Sequence, residues 1–197
     1  MHGRGDNTAS DAELVRQAGN GRADAYGELA RRWAPRVMAV CHARVRCQVE
    51  AADLAQGTLL RGFRDLVALR SPEKFGAWLR GIAQRVCLDW LKSKERSQVP
   101  FTRLADNGHF QELLAGGDDV GAAIDQADEV RRLMGEIESL SDNHREALML
   151  FYYGELSYRD MAELLGVSTA TVNARLSDAR GLLRERLDRS QRTTHEL

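Results

Sequence analysis

A short stretch between residues 168 and 180 carries side chains that suit contacts with nucleic acid. Val172, Leu176 and Ala179 recur at three-to-four spacing, which predicts a helix with one buried face. The other face carries short polar or small side chains and one arginine: Thr171, Asn173, Ala174, Arg175 and Ser177. Hydroxyl, amide and guanidinium groups hydrogen bond to phosphates and to base edges. The pattern is therefore typical of a helix that enters the major groove of DNA.

A second short helix is predicted immediately before this one. Ser157 and Asp160 have the spacing of a capping box, and Gly166 suits the left-handed residue that ends a helix. An apolar stripe lies between them at Met161, Ala162, Leu164 and Leu165. Ser168 or Thr169 can cap the next helix. The two patterns together predict a helix-turn-helix, and the alternative is a helical hairpin within an ordinary core.

The composition favours an all-helical protein. The chain has 197 residues, 43% of them hydrophobic, and its apolar segments have helical rather than alternating spacing. The first residues lack the apolar segment of a secretion signal, and no stretch reaches the roughly 20 apolar residues of a membrane span. We therefore expect a cytoplasmic protein without membrane insertion.

Three cysteines, Cys41, Cys47 and Cys87, form no C-x-x-C motif and leave one thiol over in any disulfide scheme. Buried thiols in a reducing compartment are the favoured interpretation. A metal or redox site at Cys41, His42 and Cys47 is the alternative, but adjacent helical residues point apart and a fourth ligand is missing. We expect no cofactor, no metal and no catalytic group.

The charge is distributed unevenly along the chain. The formal net charge is -1, but residues 97–128 contain six acidic residues and one basic residue. The rest of the chain therefore carries a basic excess, concentrated at residues 80–96 and 175–192. Basic segments of this kind suit phosphate contacts. The acidic segment lacks apolar periodicity, which predicts a flexible linker between two small helical domains.

The N-terminal half reads as several helices. Ser10 can cap the first of them, and Pro35 can open a later one. An apolar stripe predicts the buried face of the next helix: Leu54, Leu59, Phe63 and Leu66. Ser71 and Pro72 then mark the start of a long helix. Its expected inward residues are Phe75, Trp78, Leu79, Ile82 and Val86.

Aromatic and basic residues occur together on that long helix, from residue 75 to residue 96. Bases of single-stranded DNA stack on aromatic rings, and cations attract its phosphates. An ordinary amphipathic helix shows much the same pattern, so both interpretations stay open on periodicity alone.

Three segments in order resemble a known family. "DLAQGTLLRGFRDL" and "FGAWLRGIAQRVCLDWLKSK" are similar to the polymerase-binding and promoter-melting segments of bacterial sigma factors. "LSDNHREALMLFYYGELSYRDMAELLGVS", with the helix after it, resembles the domain of these factors that reads the minus-thirty-five element. The likeness is greatest to the small extracytoplasmic-function (ECF) group. It covers about three quarters of the chain and leaves the N-terminal tail and the acidic segment unmatched.

The resemblance implies a role for each set of matching residues. Core RNA polymerase would be bound by Asp53, Leu54, Gln56, Arg61 and Phe63. The minus-ten element would be bound by Arg80, Gln84, Arg85, Asp89, Lys92 and Lys94. The minus-thirty-five element would be bound by Ser168, Thr169, Thr171, Asn173, Arg175 and Arg180. Arg85 stands where the family often has Asn, and Asn173 and Asp178 replace residues that are usually basic, so we expect weak DNA affinity outside the holoenzyme.

The implied organisation is a tail at residues 1–10, a polymerase-binding and minus-ten domain at 11–96, the acidic linker at 97–128, a helix-turn-helix domain at 129–190 and a tail at 191–197. Core RNA polymerase and promoter DNA are the implied partners, and an anti-sigma factor is a further candidate. Two rival interpretations remain open: a free-standing helix-turn-helix regulator that acts without core polymerase, and a helical adaptor that binds only protein.

Overall fold

The structure is a computed structural model that describes residues 9–96, 132–154 and 156–195, and every regular element in these ranges is helical. The N-terminal half contains α1 (Asp11–Gly19), α2 (Ala23–Val45), α3 (Gln48–Asp65) and α4 (Phe75–Arg96). Short 3-10 turns at Leu66–Ala68 and Pro72–Lys74 connect α3 to α4. The C-terminal half contains α5 (132–138), α6 (Asp142–Tyr152), α7 (Tyr158–Leu165) and α8 (Thr169–His195). The all-helical prediction is confirmed. The expected linker and residues 1–8 of the N-terminal tail lie outside the described residues, whereas α8 continues to His195 through most of the expected C-terminal tail.

The first two helices follow the sequence signals only in part. Ser10 caps α1 as predicted, because its hydroxyl accepts a hydrogen bond from the backbone N–H of Glu13. Pro35 does not open a new helix, and that prediction is wrong: α2 runs through it without interruption. One lost backbone hydrogen bond is tolerated because buried residues before and after Pro35, from Leu29 to Val45, pack into the core.

The core face of α3 differs from the predicted stripe. Its buried residues are small ones, Ala51, Ala55, Thr58 and Gly62, while Leu54 and Leu59 are only partly buried and Phe63 is 48% exposed. Of the predicted stripe only Leu66 is fully buried. Small residues are selected because α3 lies close to α2: the Tyr26 hydroxyl donates a 2.6 Å hydrogen bond to the Leu59 carbonyl oxygen.

The long helix α4 begins later than predicted. A 3-10 turn with Pro72 at its first position precedes Phe75, and the Ser71 side chain makes no capping hydrogen bond. Phe75 and Leu79 are buried as predicted, but Ala83 and Cys87 complete the buried face while Trp78, Ile82 and Val86 are half-buried. The buried face of α4 is therefore rotated by part of a helical turn from the face that the sequence predicts to point inward.

Two of the three cysteines meet between α2 and α4. Cys41 and Cys87 are fully buried free thiols, whereas Cys47 is half-buried. A hydrogen bond with Cys87 and burial raise the pKa of the Cys41 thiol. This arrangement favours the interpretation of buried packing thiols over a site built from Cys41, His42 and Cys47.

The C-terminal half follows its local signals closely. The Ser141 hydroxyl caps α6, and Ser157 and Asp160 form the complete capping box at the start of α7. Gly166 ends α7 in the left-handed conformation with φ 68°, and the Ser168 hydroxyl accepts a 3.0 Å hydrogen bond from the backbone N–H of Thr171 at the start of α8. The helix-turn-helix prediction is confirmed.

The two halves pack against each other through α6 and α7. Helix α6 contacts α2, and helix α7 contacts α4. Buried apolar residues from both halves form one continuous cluster, from Leu14 and Leu29 to Leu164 and Leu176. The described residues of the two halves therefore form a closed arrangement.

Candidate nucleic-acid interface

The start of α8 presents a polar face above a fully buried one. Val172, Leu176 and Ala179 are completely shielded from solvent, as the sequence predicts. Thr169 and Asn173 are exposed, and Arg175 is half-buried beside them. The helix is thus held by its apolar face while these side chains stay accessible, which is the arrangement that major-groove reading requires.

Two of the predicted contact residues have a structural task at the helix start. The Ser168 hydroxyl accepts from the Thr171 backbone and also lies 2.8 Å from the Thr171 hydroxyl. These hydroxyl groups satisfy each other and the free N–H of the first turn. A DNA phosphate that binds at this point would therefore contact a helix start whose cap is already hydrogen-bonded.

Arg180 lies one turn beyond the polar face, among aromatic rings. Its guanidinium carbon is 5.0 Å from the centroid of the Phe151 ring, a cation–π distance. Partial burial lowers the pKa of Arg180, but hydrogen bonds with Tyr158 and Tyr152 outweigh it, and the pKa is raised. The aromatic residues of α6 and α7 thus hold this arginine of α8 in place.

The residues predicted for the minus-ten element fall into two groups on α4. Arg85, Asp89 and Lys92 are exposed and share one face at spacings of four and three residues. Lys94 is exposed as well, but its ammonium lies 3.3 Å from the Glu50 carboxylate and 5.2 Å from the Trp90 ring centroid. This group presents accessible charge next to an aromatic ring.

The second group, Arg80 and Gln84, faces the C-terminal half instead. Arg80 donates to both carboxylate oxygens of Glu146 on α6, at 2.8 and 3.0 Å. The Gln84 amide, in the orientation that satisfies its hydrogen bonds, accepts from Arg80 at 2.9 Å and from Arg44 at 3.1 Å. In this arrangement both side chains are engaged in hydrogen bonds within the protein.

The exposed face of α3 forms a regular stripe. Its members are spaced alternately by four and three residues, and each of them is exposed: Val49, Asp53, Gln56, Leu60, Phe63 and Val67. Leu60 is 55% exposed and Val67, in the turn after the helix, is 87% exposed. Alternation of four and three is the spacing of a coiled-coil seam. We call these six residues the α3 stripe.

The α3 stripe includes apolar residues that the sequence interpretation missed. Val49, Leu60 and Val67 accompany the predicted Asp53, Gln56 and Phe63, and the heptad spacing was the signal that could have found them. The other predicted residues flank it: Leu54 is partly buried, and Arg61 lies 3.6 Å from the Asp65 carboxylate. Phe63 rests on Tyr26 with ring centroids 5.0 Å apart, which fixes its orientation.

Other types of site find no support in the described ranges. Within residues 9–96, 132–154 and 156–195, no group of three or more His, Cys, Asp and Glu side chains could hold a metal ion. Over the same residues, no helix is both long and apolar enough to cross a membrane.

Two family models match the chain, in the order of its two helical halves. Residues 29–97 match Sigma-70 region 2, and residues 131–183 match Sigma-70, region 4. The first segment contains the α3 stripe and α4, and the second contains α7 and the start of α8.

Named relatives extend the match over most of the chain. The ECF RNA polymerase sigma factor SigK of Mycobacterium sp. (strain JLS) is 30% identical over 173 residues, covering 86% of this chain and 86% of the relative. The probable RNA polymerase sigma factor RfaY of Xanthomonas campestris is also 30% identical over 173 residues, but this chain spans only 42% of its length.

Solved structures share the fold. CnrH, in its complex with the cytosolic domain of CnrY, superposes with a TM-score of 0.61 at 23% identity and covers 90% of this chain and 97% of its own. The sigma factor RpoE of Bartonella quintana, in complex with the anti-sigma factor NepR, gives a TM-score of 0.50 at 21% identity over 79% of this chain and 91% of its own.

An all-helical chain with these two regions in this order is an RNA polymerase sigma factor. It belongs to the ECF group, as the similarity to SigK shows. Its function is to direct RNA polymerase in transcription initiation.

Proposed function

We propose that this sigma factor uses three separate surfaces: the α3 stripe for core RNA polymerase, α4 for the minus-ten element, and the start of α8 for the minus-thirty-five element. The observation that supports the proposal most strongly is the α3 stripe, whose apolar members are exposed although α3 has a complete buried face of small residues. Binding and positioning are the whole mechanism, and the chain contributes no covalent chemistry.

The α3 stripe has the properties of a helix-docking surface. Exposed apolar side chains that are aligned on one face indicate an interaction site, whereas scattered ones do not. The four-and-three spacing matches a partner helix that packs along α3, and Asp53 and Gln56 add polar contacts that fix its register. This geometry fits the coiled coil of the polymerase's largest subunit, which the resemblance implies as the docking site.

On the DNA side, the two surfaces do different work. Arg85, Asp89 and Lys92 of α4, with Trp90 and Lys94 nearby, combine accessible charge with an aromatic ring and suit an opened single strand. Thr169, Asn173 and Arg175 of α8 suit base edges and phosphates of a duplex. Each surface is small, so we infer that affinity comes from joining both through the polymerase.

A regulatory partner is also proposed. RpoE of Bartonella quintana, which shares the fold, was solved with the anti-sigma factor NepR. By analogy we propose that an anti-sigma factor binds this chain and that the protein acts in the cytoplasm, where RNA polymerase meets DNA. The family assignment does not favour a free-standing regulator or a protein-only adaptor.

The experiment combines core binding with transcription. Asp53→Ala with Leu60→Ala removes one polar and one apolar member of the α3 stripe, and Leu88→Ala is the matched control because Leu88 is a 49% exposed leucine on α4. Loss of an interface anchor costs on the order of 1–2 kcal/mol, so the double variant should bind purified core polymerase about 10-fold or more weakly. Run-off transcription should fall in parallel. Equal core binding by the folded double variant, the control and the wild type would refute the docking assignment.

A further inference from the structure

Tyr26 of α2 is a buried aromatic residue that packs against a member of the α3 stripe. It is only 6% exposed, and its ring meets the ring of Phe63 with centroids 5.0 Å apart and planes inclined by 52°. Its hydroxyl donates a 2.6 Å hydrogen bond to the carbonyl oxygen of Leu59. Tyr26 therefore contacts both a side chain and the backbone of the helix that carries the stripe.

The two contacts of Tyr26 converge on one turn of α3. In an α-helix the carbonyl oxygen of Leu59 is the acceptor for the backbone N–H of Phe63, four residues later. The Tyr26 hydroxyl thus binds the backbone acceptor of the same turn whose side chain rests on its ring. Burial raises the pKa of Tyr26 to about 12, so its hydroxyl stays a neutral donor near neutral pH.

Gly62 makes this close approach possible. A Cβ at this position would lie 2.7 Å from the Tyr26 hydroxyl oxygen and 2.8 Å from a methyl carbon of Leu79, so a larger residue would push α3 away from α2. Phe63, the next residue, rests on the Tyr26 ring and is still 48% exposed. Its ring is therefore supported by the protein and accessible to a partner at the same time.

From these contacts we propose that Tyr26 is a positioning residue for the binding of core RNA polymerase. It holds Phe63 in the orientation in which this side chain meets the polymerase, and it acts through Phe63 because it is itself buried. The inference rests on the docking role proposed above for the α3 stripe.

The orientation of Phe63 matters because this residue is the one aromatic member of the α3 stripe. Aromatic side chains are enriched among the residues that dominate the affinity of interfaces. A side chain that changes rotamer freely before binding loses that freedom at the interface, which lowers affinity by about 2- to 12-fold. A ring that Tyr26 already holds in place avoids most of this loss.

The test measures the affinity of the full-length protein for purified core polymerase, with circular dichroism and urea denaturation to show that each variant is folded. Tyr26→Leu removes the ring, whereas Tyr26→Phe removes only the hydroxyl. Phe75→Leu is the matched control, because Phe75 is a buried aromatic residue of the same half whose ring contacts are with Trp33 and Trp78. We expect Tyr26→Leu to bind core about 5-fold more weakly, and Tyr26→Phe and Phe75→Leu to bind within about twofold of the wild type.

A double variant separates positioning from a general loss of stability. Phe63→Ala should weaken core binding by about 10-fold, and adding Tyr26→Leu should weaken it no further, because Tyr26 acts through the side chain that is already absent. An additional loss of about 5-fold in the double variant would overturn the proposal. Wild-type core affinity of folded Tyr26→Leu, next to weakened binding by Phe63→Ala, would overturn it as well.

A measurement on the wild-type protein does not depend on any variant folding. In the free protein, nuclear Overhauser effects between the ring protons of Tyr26 and Phe63 and a single rotamer of Phe63 are expected. A Phe63 side chain that averages over several rotamers before polymerase binds would overturn the positioning role. Wild-type core affinity of both Phe63→Ala and the Asp53 and Leu60 double variant would instead refute the docking role of the α3 stripe, and the positioning role with it.

Discussion

The guanidinium of Arg180 lies over the ring of Phe151, with the central carbon 5.0 Å from the ring centroid. The Phe151 ring meets that of Tyr158 edge-on at a centroid distance of 5.8 Å. Three helices thus converge on one cation: α6 through Phe151, α7 through Tyr158, and α8 through Arg180 itself. This contact therefore helps to fix the orientation of α8 relative to α6 and α7.

Replacing Arg180 should therefore affect both folding and DNA binding. We expect Arg180→Ala to lower the free energy of unfolding by about 0.5–1 kcal/mol, because a partly exposed cation–π contact is lost. If the arginine also meets a phosphate, the salt slope of promoter binding should fall by about 0.9. Urea denaturation and holoenzyme binding to promoter DNA across a salt series measure the two effects.

The control for this prediction is Arg184→Ala, since Arg184 is exposed one turn further along α8. It should leave the free energy of unfolding unchanged. Identical stability of the Arg180 and Arg184 variants would contradict the bracing role of the aromatic cluster.

Two glycines of α3 provide a matched pair for the packing of the N-terminal half. A Cβ at Gly62 would lie 2.7 Å from the Tyr26 hydroxyl oxygen and 2.8 Å from a methyl carbon of Leu79, whereas at Gly57 nothing lies within 4 Å. Gly62→Ala should destabilise the protein by about 1–3 kcal/mol through overpacking. Gly57→Ala should stabilise it by about 0.5–1 kcal/mol, because alanine is the better helix former. Denaturant titration measures the free energy of unfolding of each variant. Equal changes of the same sign in the two variants would contradict the close α2–α3 contact.

Local signals explain why the C-terminal half was predictable from sequence. The capping box of Ser157 and Asp160, the left-handed Gly166 and the buried spacing of Val172 and Leu176 all act within a few residues. Such features can be predicted from the sequence because each one specifies the backbone conformation of its own segment.

Contacts between distant segments explain what the sequence could not show. The core face of α3 is set by the close approach of Tyr26 and Leu79, which leaves room only for a glycine at position 62, while Phe63 packs on the Tyr26 ring and stays 48% exposed. Arg80 looked like any other surface cation of α4, because its partner Glu146 is distant in sequence and follows no helical period. Tertiary packing, rather than propensity, decides both cases.

His42 makes stability depend on pH. Burial and the nearby charge of Arg145 lower the pKa of His42 below the ordinary value of 6.5, so the folded protein keeps this imidazole neutral. Above about pH 6.5 neither the folded nor the unfolded state protonates it, and its full contribution to stability is present. As the pH falls below that value, the unfolded state takes up the proton first, and stability declines by at most about 1.4 kcal/mol per pH unit until the folded pKa is reached.

The measurement compares urea denaturation of the wild type and of His42→Gln from about pH 7.5 down to about pH 5.5, where histidine titrates. We expect the variant to lose less stability over this interval, since other titrating groups are common to both proteins. Parallel pH dependence of the two proteins would show that His42 titrates normally.

We expect different residues of α8 to serve folding and DNA reading, and two adjacent residues test this. Val172 is fully buried, so Val172→Asp places an unpaired carboxylate in the core and should unfold the C-terminal half. Asn173→Asp introduces the same carboxylate one residue later at an exposed position and should leave the fold intact. Circular dichroism and urea denaturation distinguish the two outcomes.

Arg175→Ala should then affect reading alone. Arg175 is half-buried on the outer side of α8, so its truncation should leave helicity and core-polymerase binding unchanged. Loss of a base contact would cost roughly 1–3 kcal/mol and relax preference at one promoter position, whereas loss of a phosphate contact would weaken all promoters alike and lower the salt dependence. Transcription from single-base variants of one promoter at two salt concentrations separates these cases. Wild-type transcription from every variant would rule out Arg175 as a reader of the minus-thirty-five element.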